Sequence, residues 1–134
     1  MIFNINIKNS INITKKMSSY FFKNLRYSHI RYNYEKINDI LFNYKIVNIN
    51  QTINPIKIKS IKNNVLVEFC PVNPIYMGQL KKENYILDGF HRLEVYKELN
   101  YLHEVCIPVI NIECIDEYEL KNYYKIINFQ SNLS

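Results

Sequence analysis

One stretch in the second half of the chain reads Tyr85-Ile86-Leu87-Asp88-Gly89-Phe90-His91-Arg92-Leu93-Glu94-Val95-Tyr96-Lys97-Glu98-Leu99. It combines a short apolar strand, an Asp-Gly turn, a His-Arg pair and an amphipathic helix. Because the chain has only two glycines, a glycine between a strand and a helix indicates a backbone conformation or a close approach that a side chain would obstruct. The pattern therefore predicts a tight strand-turn-helix junction at Gly89.

The start of the predicted helix is suited to binding an anion. The first N–H groups of a helix have no intrahelical acceptor, and the helix dipole adds positive potential at that end. His91 and Arg92 add donors there, and a guanidinium matches the geometry of phosphate oxygens. Asp88 would cap the turn or face a bound metal ion. The structural alternative is that Asp88 only caps, His91 packs and Arg92 pairs with a carboxylate.

Four residues, Asp88, Gly89, His91 and Arg92, match an Asp-Gly-x-His-Arg signature, and the segment resembles the ParB/sulfiredoxin-like superfamily. Residues 70–77 are similar to the strand that precedes this signature in the family, and residues 105–110 to the strand that follows it. Residues 46–61 resemble the first strand and helix of the family. The resemblance covers residues 46–120 and implies a mixed α/β fold, in which helices pack on a small curved mixed sheet.

The resemblance also implies a function, because members of this superfamily hold nucleotide phosphates at the equivalent strand-turn-helix. Sulfiredoxins and free serine kinases use ATP there, and the chromosome-segregation ParB proteins use CTP. By this resemblance Gly89, Phe90, His91 and Arg92 would bind ATP or CTP, and Asp88 would hold Mg²⁺. Glu94 and Glu68 join Asp88 as candidate catalytic carboxylates, since a general base must reach the proton that it removes.

Departures from the family pattern narrow these expectations. Phe90 stands where sulfiredoxins carry their catalytic cysteine, so sulfiredoxin activity is not expected. Residues 46–55 lack the upstream carboxylate of the serine kinases, and the chain ends soon after its last predicted helix, without the DNA-binding region of ParB. We therefore expect a nucleotide-binding domain that acts either as a small phosphotransferase or as a nucleotide-dependent switch.

Positive charge is concentrated at the beginning of the chain. The first 34 residues contain six basic and no acidic residues, whereas the remainder contains 11 basic and 12 acidic ones. Such a segment could be an organellar targeting sequence, an arm that contacts nucleic acid, or a solvated tail. Interleaved aromatic residues such as Tyr32 and Tyr34 suit stacking on unpaired bases, and they equally suit packing on the domain. The second hypothesis is therefore a non-catalytic nucleic-acid-binding or assembly protein that retains the fold.

Composition is typical of one soluble domain with an extension. Of the 134 residues, 48% are hydrophobic and 22% charged, and no apolar run approaches the roughly 20 residues that cross a bilayer. The three cysteines form no C-x-x-C pair, which favours buried thiols in a reducing intracellular compartment. We expect a partly helical basic extension over residues 1–45 and the ParB/sulfiredoxin-like domain over residues 46–134. The oligomeric state stays open.

Apolar spacing and turn residues predict the order of the elements. Strands are expected over residues 2–13, 46–53, 75–77, 85–87 and 107–115, and helices over residues 18–25, 34–44, 55–63, 90–99 and 116–129. Asn100 is expected to end the motif helix in a left-handed conformation, and Asp116 to cap the last helix.

Overall fold

Five short segments, most of them rich in Ile, Val and Tyr, pair into one sheet in the computed structural model, which describes residues 29–47 and 51–133. The strands are β1 (Ile30–Lys36), β2 (Tyr44–Ile46), β3 (Ile75–Leu80), β4 (Glu83–Asp88) and β5 (Cys106–Glu113). Their order in the sheet is β1-β5-β3-β4-β2. β1 with β5 and β3 with β4 are antiparallel, whereas β3 with β5 and β2 with β4 are parallel. The predicted mixed α+β class is confirmed.

Four α-helices accompany the sheet in the described part of the chain. They are α1 (Ile37–Asn43), α2 (Pro55–Val67), α3 (Phe90–Glu98) and α4 (Glu117–Leu133), and a short 3-10 helix spans Asn100–Leu102. Asp116 caps α4 as predicted, because its Oδ1 accepts a hydrogen bond from the Glu119 amide at 2.9 Å. The Glu119 carboxylate in turn accepts one from the amide of Ile115, the residue before the cap, at 3.2 Å.

The sheet is the middle layer of three. One face packs against α4 and has a core of Ile30, Tyr76, Leu80, Leu87, Ile110, Ile112, Cys114, Leu120, Tyr123 and Ile127. The other face packs against α1 and α3, with Ile37, Ile40, Ile75, Met77, Ile86, Leu93, Val95, Tyr96, Leu99, Leu102, Ile107 and Val109. Gly78 lets α4 approach β3 closely, since a Cβ at this position would collide with the Leu120 side chain.

The predicted helix over residues 34–44 is wrong at both ends. Residues 30–36 pair along their whole length with β5, so Tyr34 lies in a strand and α1 begins only at Ile37. Ile37 and Ile40 of this helix are buried, but Tyr44 belongs to β2. Long-range strand pairing overrides the local helical pattern here. The sheet therefore includes residues on both sides of the predicted domain boundary at residue 46.

Several other element boundaries differ from the prediction. The strand predicted over residues 46–53 is reduced to the end of β2, and α2 continues to Val67 instead of ending near residue 63. Asn100 is not left-handed, because it begins the 3-10 helix. Cys114 is buried, but Cys70 and Cys106 are exposed, so the prediction of buried thiols holds for one of three. The elements predicted over residues 2–13 and 18–25 lie outside the described residues.

Within residues 29–47 and 51–133, no helix has both the length and the apolar character that crossing a bilayer requires.

The β3–β4 turn provides a test of backbone strain. Lys81 and Lys82 have φ of 51° and 68°, a left-handed conformation that Asn and Gly adopt most readily in two-residue hairpins. We expect the Lys81→Asn, Lys82→Gly double variant to raise the free energy of unfolding by about 1 kcal/mol. Denaturant unfolding measures this change.

The matched control is Lys81→Ala, Lys82→Ala, which removes the same two charges and keeps the strained backbone. Equal stabilisation by both double variants would show that charge, and not backbone conformation, sets the stability of the turn.

Candidate functional site

The strand-turn-helix junction forms as the sequence predicts. β4 ends at Asp88, Gly89 has φ of 112° and ψ of 13°, and α3 begins at Phe90. A Cβ on Gly89 would collide with Cδ1 of Ile75 and approach Nη2 of Arg92 to 3.2 Å. Glycine is therefore needed here both for its backbone conformation and for the space above β3.

The first turn of α3 presents free amide donors. The first intrahelical bond joins the Leu93 N–H to the Gly89 carbonyl at 3.0 Å, so the amides of Phe90, His91 and Arg92 precede the helical ladder. These N–H groups and the helix dipole form the local positive potential that an oxyanion requires. This part of the site depends on the backbone and not on the identity of the side chains.

Arg92 holds the segment that leads into β3. Its Nη1 donates to the Asn73 carbonyl at 2.6 Å and its Nη2 to the Pro74 carbonyl at 3.1 Å. Nη2 also lies 3.6 Å from Oδ2 of Asp88, one turn earlier. A guanidinium has five N–H donors, so these contacts leave others for a ligand. Arg92 thus has a structural role in addition to the binding role that the sequence predicts.

Asp88 is a partly buried carboxylate between two cations. Burial raises its pKa, whereas the charges of Arg92 and Lys57 and a hydrogen bond from the Gly89 backbone lower it, and the net shift is upward. In the described residues no group of three or more His, Cys, Asp or Glu side chains could hold a metal ion. Asp88 could therefore contribute one ligand to Mg²⁺, with phosphate oxygens and water completing the shell.

His91 connects the start of α3 to the start of α2. The Asn54 amide donates to its Nε2 at 3.0 Å, which requires a lone pair on that nitrogen and a neutral ring with the proton on Nδ1. Burial and, less strongly, the charge of Lys57 lower the His91 pKa, while Glu94 acts in the opposite direction. The Phe90 ring packs edge-to-face on the imidazole, with centroids 5.3 Å apart.

The N-terminus of α2 is a part of the site that the sequence did not reveal. Asn54 caps this helix, since its Oδ1 accepts from the amides of Ile56 and Lys57 at 3.0 and 3.2 Å. Lys57 is exposed, and its charge acts on both Asp88 and His91. The start of α2 at residue 55 was predicted, but no sequence signal places residue 54 beside residue 91. Two helix N-termini therefore meet at His91.

Glu94 and Glu68 occupy different surroundings. Oε1 of Glu94 accepts from the Tyr44 hydroxyl at 3.0 Å and from Nζ of Lys97 at 3.1 Å, which ties β2 to α3. Glu68 follows the last residue of α2, and at 1.5 Å per residue a 13-residue helix separates it from the site by about 20 Å. The structure does not bring Glu68 together with the Asp-Gly-x-His-Arg residues.

Helix α4 supports the junction from the opposite side of the sheet. Nδ2 of Asn128 donates to the carbonyls of Leu87 and Tyr124, both at 2.7 Å, and so holds the end of β4. Burial, followed by the nearby charge of Asp88, raises the pKa of Tyr124. The Tyr124 hydroxyl is therefore a neutral neighbour of the site, and no sequence motif pointed to it.

Comparisons with known proteins identify the fold. No protein-family model matches the sequence, and no curated protein matches it. The C-terminally truncated chromosome-partitioning protein ParB from Caulobacter crescentus, solved in complex with CTP-gamma-S, is similar in structure with a TM-score of 0.54 and 15% identity. The similarity covers 74% of this chain and 53% of the ParB chain, so this chain spans about half of its relative.

A second similar structure is SbnI from Staphylococcus aureus with a C-terminal truncation. Its TM-score is 0.44 at 17% identity, over 63% of this chain and 31% of SbnI. The likeness to ParB confirms the fold that the resemblance implied.

The Gly89 turn provides a test in which the two demands on glycine are separated. We expect Gly89→Ala to lower the free energy of unfolding by about 1 to 3 kcal/mol, because it adds both backbone strain and a collision with Ile75. In an Ile75→Val background, which lacks Cδ1, the same substitution should cost less. Denaturant unfolding of the four proteins measures the coupling.

An equal cost in both backgrounds would show that strain at φ of 112°, and not contact with Ile75, makes the glycine necessary.

The His91 contact predicts a pH dependence of stability. The pKa of His91 in the folded protein lies below its ordinary value of 6.5, so the unfolded chain binds the proton more tightly. The stabilisation that the neutral His91 side chain gives the folded state is therefore complete above pH 6.5 and is lost as pH falls through the folded pKa. We expect His91→Gln, whose Oε1 accepts from Asn54 without titrating, to abolish this loss. Unfolding free energies between about pH 5 and pH 8 measure it.

Asp88 and Glu35 have raised pKa values, so their protonation stabilises the folded chain as pH falls and opposes the loss at His91. The quantity to compare is therefore the difference in unfolding free energy between the unchanged protein and His91→Gln at each pH. Parallel pH profiles would contradict the assigned role of His91.

Proposed function

We propose that this chain, which has the ParB/sulfiredoxin-like fold, binds a nucleoside triphosphate where the N-termini of α2 and α3 meet. The observation that carries the proposal is the hydrogen bond from Asn54 to His91, which holds the two helix starts side by side. Both helix dipoles then add positive potential at one place. In this proposal the triphosphate lies across the amides of residues 90–92.

Cations around the two helix starts support the same ligand. Lys57 is exposed, and in the described residues it forms no ion pair, yet its charge is felt at both Asp88 and His91. Arg92 retains N–H groups beyond those that bind Asn73 and Pro74. We infer that Lys57 neutralises phosphate as a point charge and that Arg92 fixes its orientation. Asp88 would be the residue that holds Mg²⁺, and the ion would supply further positive charge against the phosphates.

A nucleotide-dependent switch fits these residues better than a phosphotransferase. Glu68 is remote from the site, and Glu94 is already hydrogen-bonded to Tyr44 and Lys97, so neither is placed as a general base. A ligand at the two helix starts would instead bias the position of α2, which His91 ties to α3. CTP is the first nucleotide to test, because the ParB relative was solved with CTP-gamma-S.

We expect a nucleotide with Mg²⁺ to raise the unfolding free energy by about 2.7 kcal/mol when present at 100 times its dissociation constant. Thermal unfolding with CTP, ATP, GTP and ADP measures this, and isothermal titration calorimetry gives the affinity. Lys57→Ala should weaken binding by about 1.5 to 3 kcal/mol, as expected for a charge-assisted contact.

Lys59→Ala is the matched control, because Lys59 is an exposed lysine of the same helix. Its charge is not among those that shift the pKa values of Asp88 and His91. A folded protein that none of the four nucleotides stabilises would reject the proposal. Equal effects of the two lysine variants would reject the assigned place of the triphosphate.

A further inference from the structure

The outer face of α4 carries two aromatic rings and two lysines in one line. Tyr118, Lys121, Lys125 and Phe129 follow one another at intervals of three, four and four residues, the spacing that places helical side chains on one face. Tyr118 is 79% and Phe129 61% exposed, and both lysines are exposed. We call these four residues the α4 stripe.

The opposite face of the same helix holds the α4 stripe in place. Leu120, Tyr123 and Ile127 are buried against the sheet, and the Asp116 cap fixes the start of the helix. At a rise of 1.5 Å per residue, the stripe is about 16 Å long from its first ring to its last. It is therefore a preformed row of side chains that is turned away from the sheet.

The charge of the two lysines is not neutralised by the helix that carries them. In the part of the chain that the structure describes, neither Lys121 nor Lys125 forms an ion pair. Lys125 has no acidic residue three or four positions away, and Glu117, four positions before Lys121, is not paired with it. Like charges four residues apart weaken a helix, so this lysine pair does not serve the stability of α4. The stripe thus offers positive charge between two open rings.

We propose that the α4 stripe binds single-stranded nucleic acid, with unpaired bases stacked on Tyr118 and Phe129 and the intervening phosphates neutralised by Lys121 and Lys125. Stacking on aromatic rings and neutralisation of the backbone are the two contributions that bind unpaired strands. A duplex hides the faces of its bases and would use only the charge. The stripe lies on the opposite side of the sheet from α3, so this surface is separate from the triphosphate site.

Two other anionic partners fit the α4 stripe less well. In a helix that lies in a membrane surface, the apolar and the basic residues occupy different faces, whereas here the rings and the ammonium groups share one line. An acidic peptide would pair with the lysines without using a flat ring at each end of the row. The combination of rings and charges therefore favours nucleic acid.

The test uses the full chain and a fluorescein-labelled oligonucleotide, offered as single-stranded RNA, as single-stranded DNA and as a duplex, with affinity read from anisotropy. We expect both single strands to bind more tightly than the duplex, and the ratio between them identifies the preferred sugar. Tyr118→Ala should weaken single-strand binding by about 5- to 150-fold, the range that corresponds to one stacked base. Tyr118→Phe, which keeps the ring, should bind as the unchanged protein does.

Tyr101→Ala is the matched control, because Tyr101 is 64% exposed and lies in the 3-10 helix. It should leave the affinity unchanged. The proposal is overturned if Tyr118→Ala and Tyr101→Ala bind equally, if the duplex binds as tightly as the single strands, or if phosphatidylserine vesicles or a polyglutamate peptide bind and the single strands do not. Circular dichroism checks that each variant is folded, as expected for alanine at an exposed helical position.

Salt dependence tests the two lysines independently. Lys121→Ala with Lys125→Ala should reduce the slope of log affinity against log salt by about 1.4, at about 0.7 for each phosphate contact on a single strand. Lys81→Ala with Lys82→Ala, in the β3–β4 turn, removes the same charge and should leave the slope unchanged. Equal slopes for the two double variants would overturn the role of the stripe lysines.

A nucleotide measurement separates this surface from the triphosphate site. Thermal unfolding with CTP and Mg²⁺ should give the Lys121→Ala, Lys125→Ala variant the same shift as the unchanged protein, whatever the size of that shift. A smaller shift in the double variant would overturn the separation of the two surfaces.

Discussion

The positive φ of Gly89 turns the chain from β4 into α3 within a single residue, and the contacts around the site depend on that turn. It directs the start of α3 across the end of the sheet, where Arg92 reaches the carbonyls of Asn73 and Pro74 and the carboxylate of Asp88. A side chain at this position would also collide with Ile75. One backbone conformation thus fixes both the direction of α3 and its distance from β3.

The contacts that stabilise the fold are the same ones that arrange the candidate site. His91 accepts a hydrogen bond from the amide of Asn54, the N-cap of α2, and Glu94 joins α3 to β2 through Tyr44. Side chains that the motif suggested as ligand donors are therefore also used as structural ties, whereas the amides of the first turn of α3 remain for an anion. In the proposed function, a bound triphosphate would be coupled to the position of α2, because α2 and α3 meet through His91.

The accuracy of prediction depended on how local the governing interaction is. The Asp116 cap and the α3 helix were predicted correctly because capping and helix formation are decided within a few residues. The helix predicted over residues 34–44 was wrong because Tyr34 pairs with Pro108, more than 70 residues away. Asn100 was assigned a left-handed conformation from its residue type, whereas the chain continues into a 3-10 helix there. Glu68 was a candidate only as long as its distance from the motif was unknown.

The sequence by itself determined the strand-turn-helix at Gly89, the class of fold and the accumulation of positive charge before β1, since these follow from residue type and short-range backbone chemistry. Only the tertiary structure decided that Asn54 and Lys57 belong beside His91, that Arg92 holds the segment before β3, and that Tyr34 lies exposed on β1, the outer strand of the sheet as far as the chain is described. Such neighbours are distant in sequence, and packing of the sheet between its helices brings them together or keeps them apart.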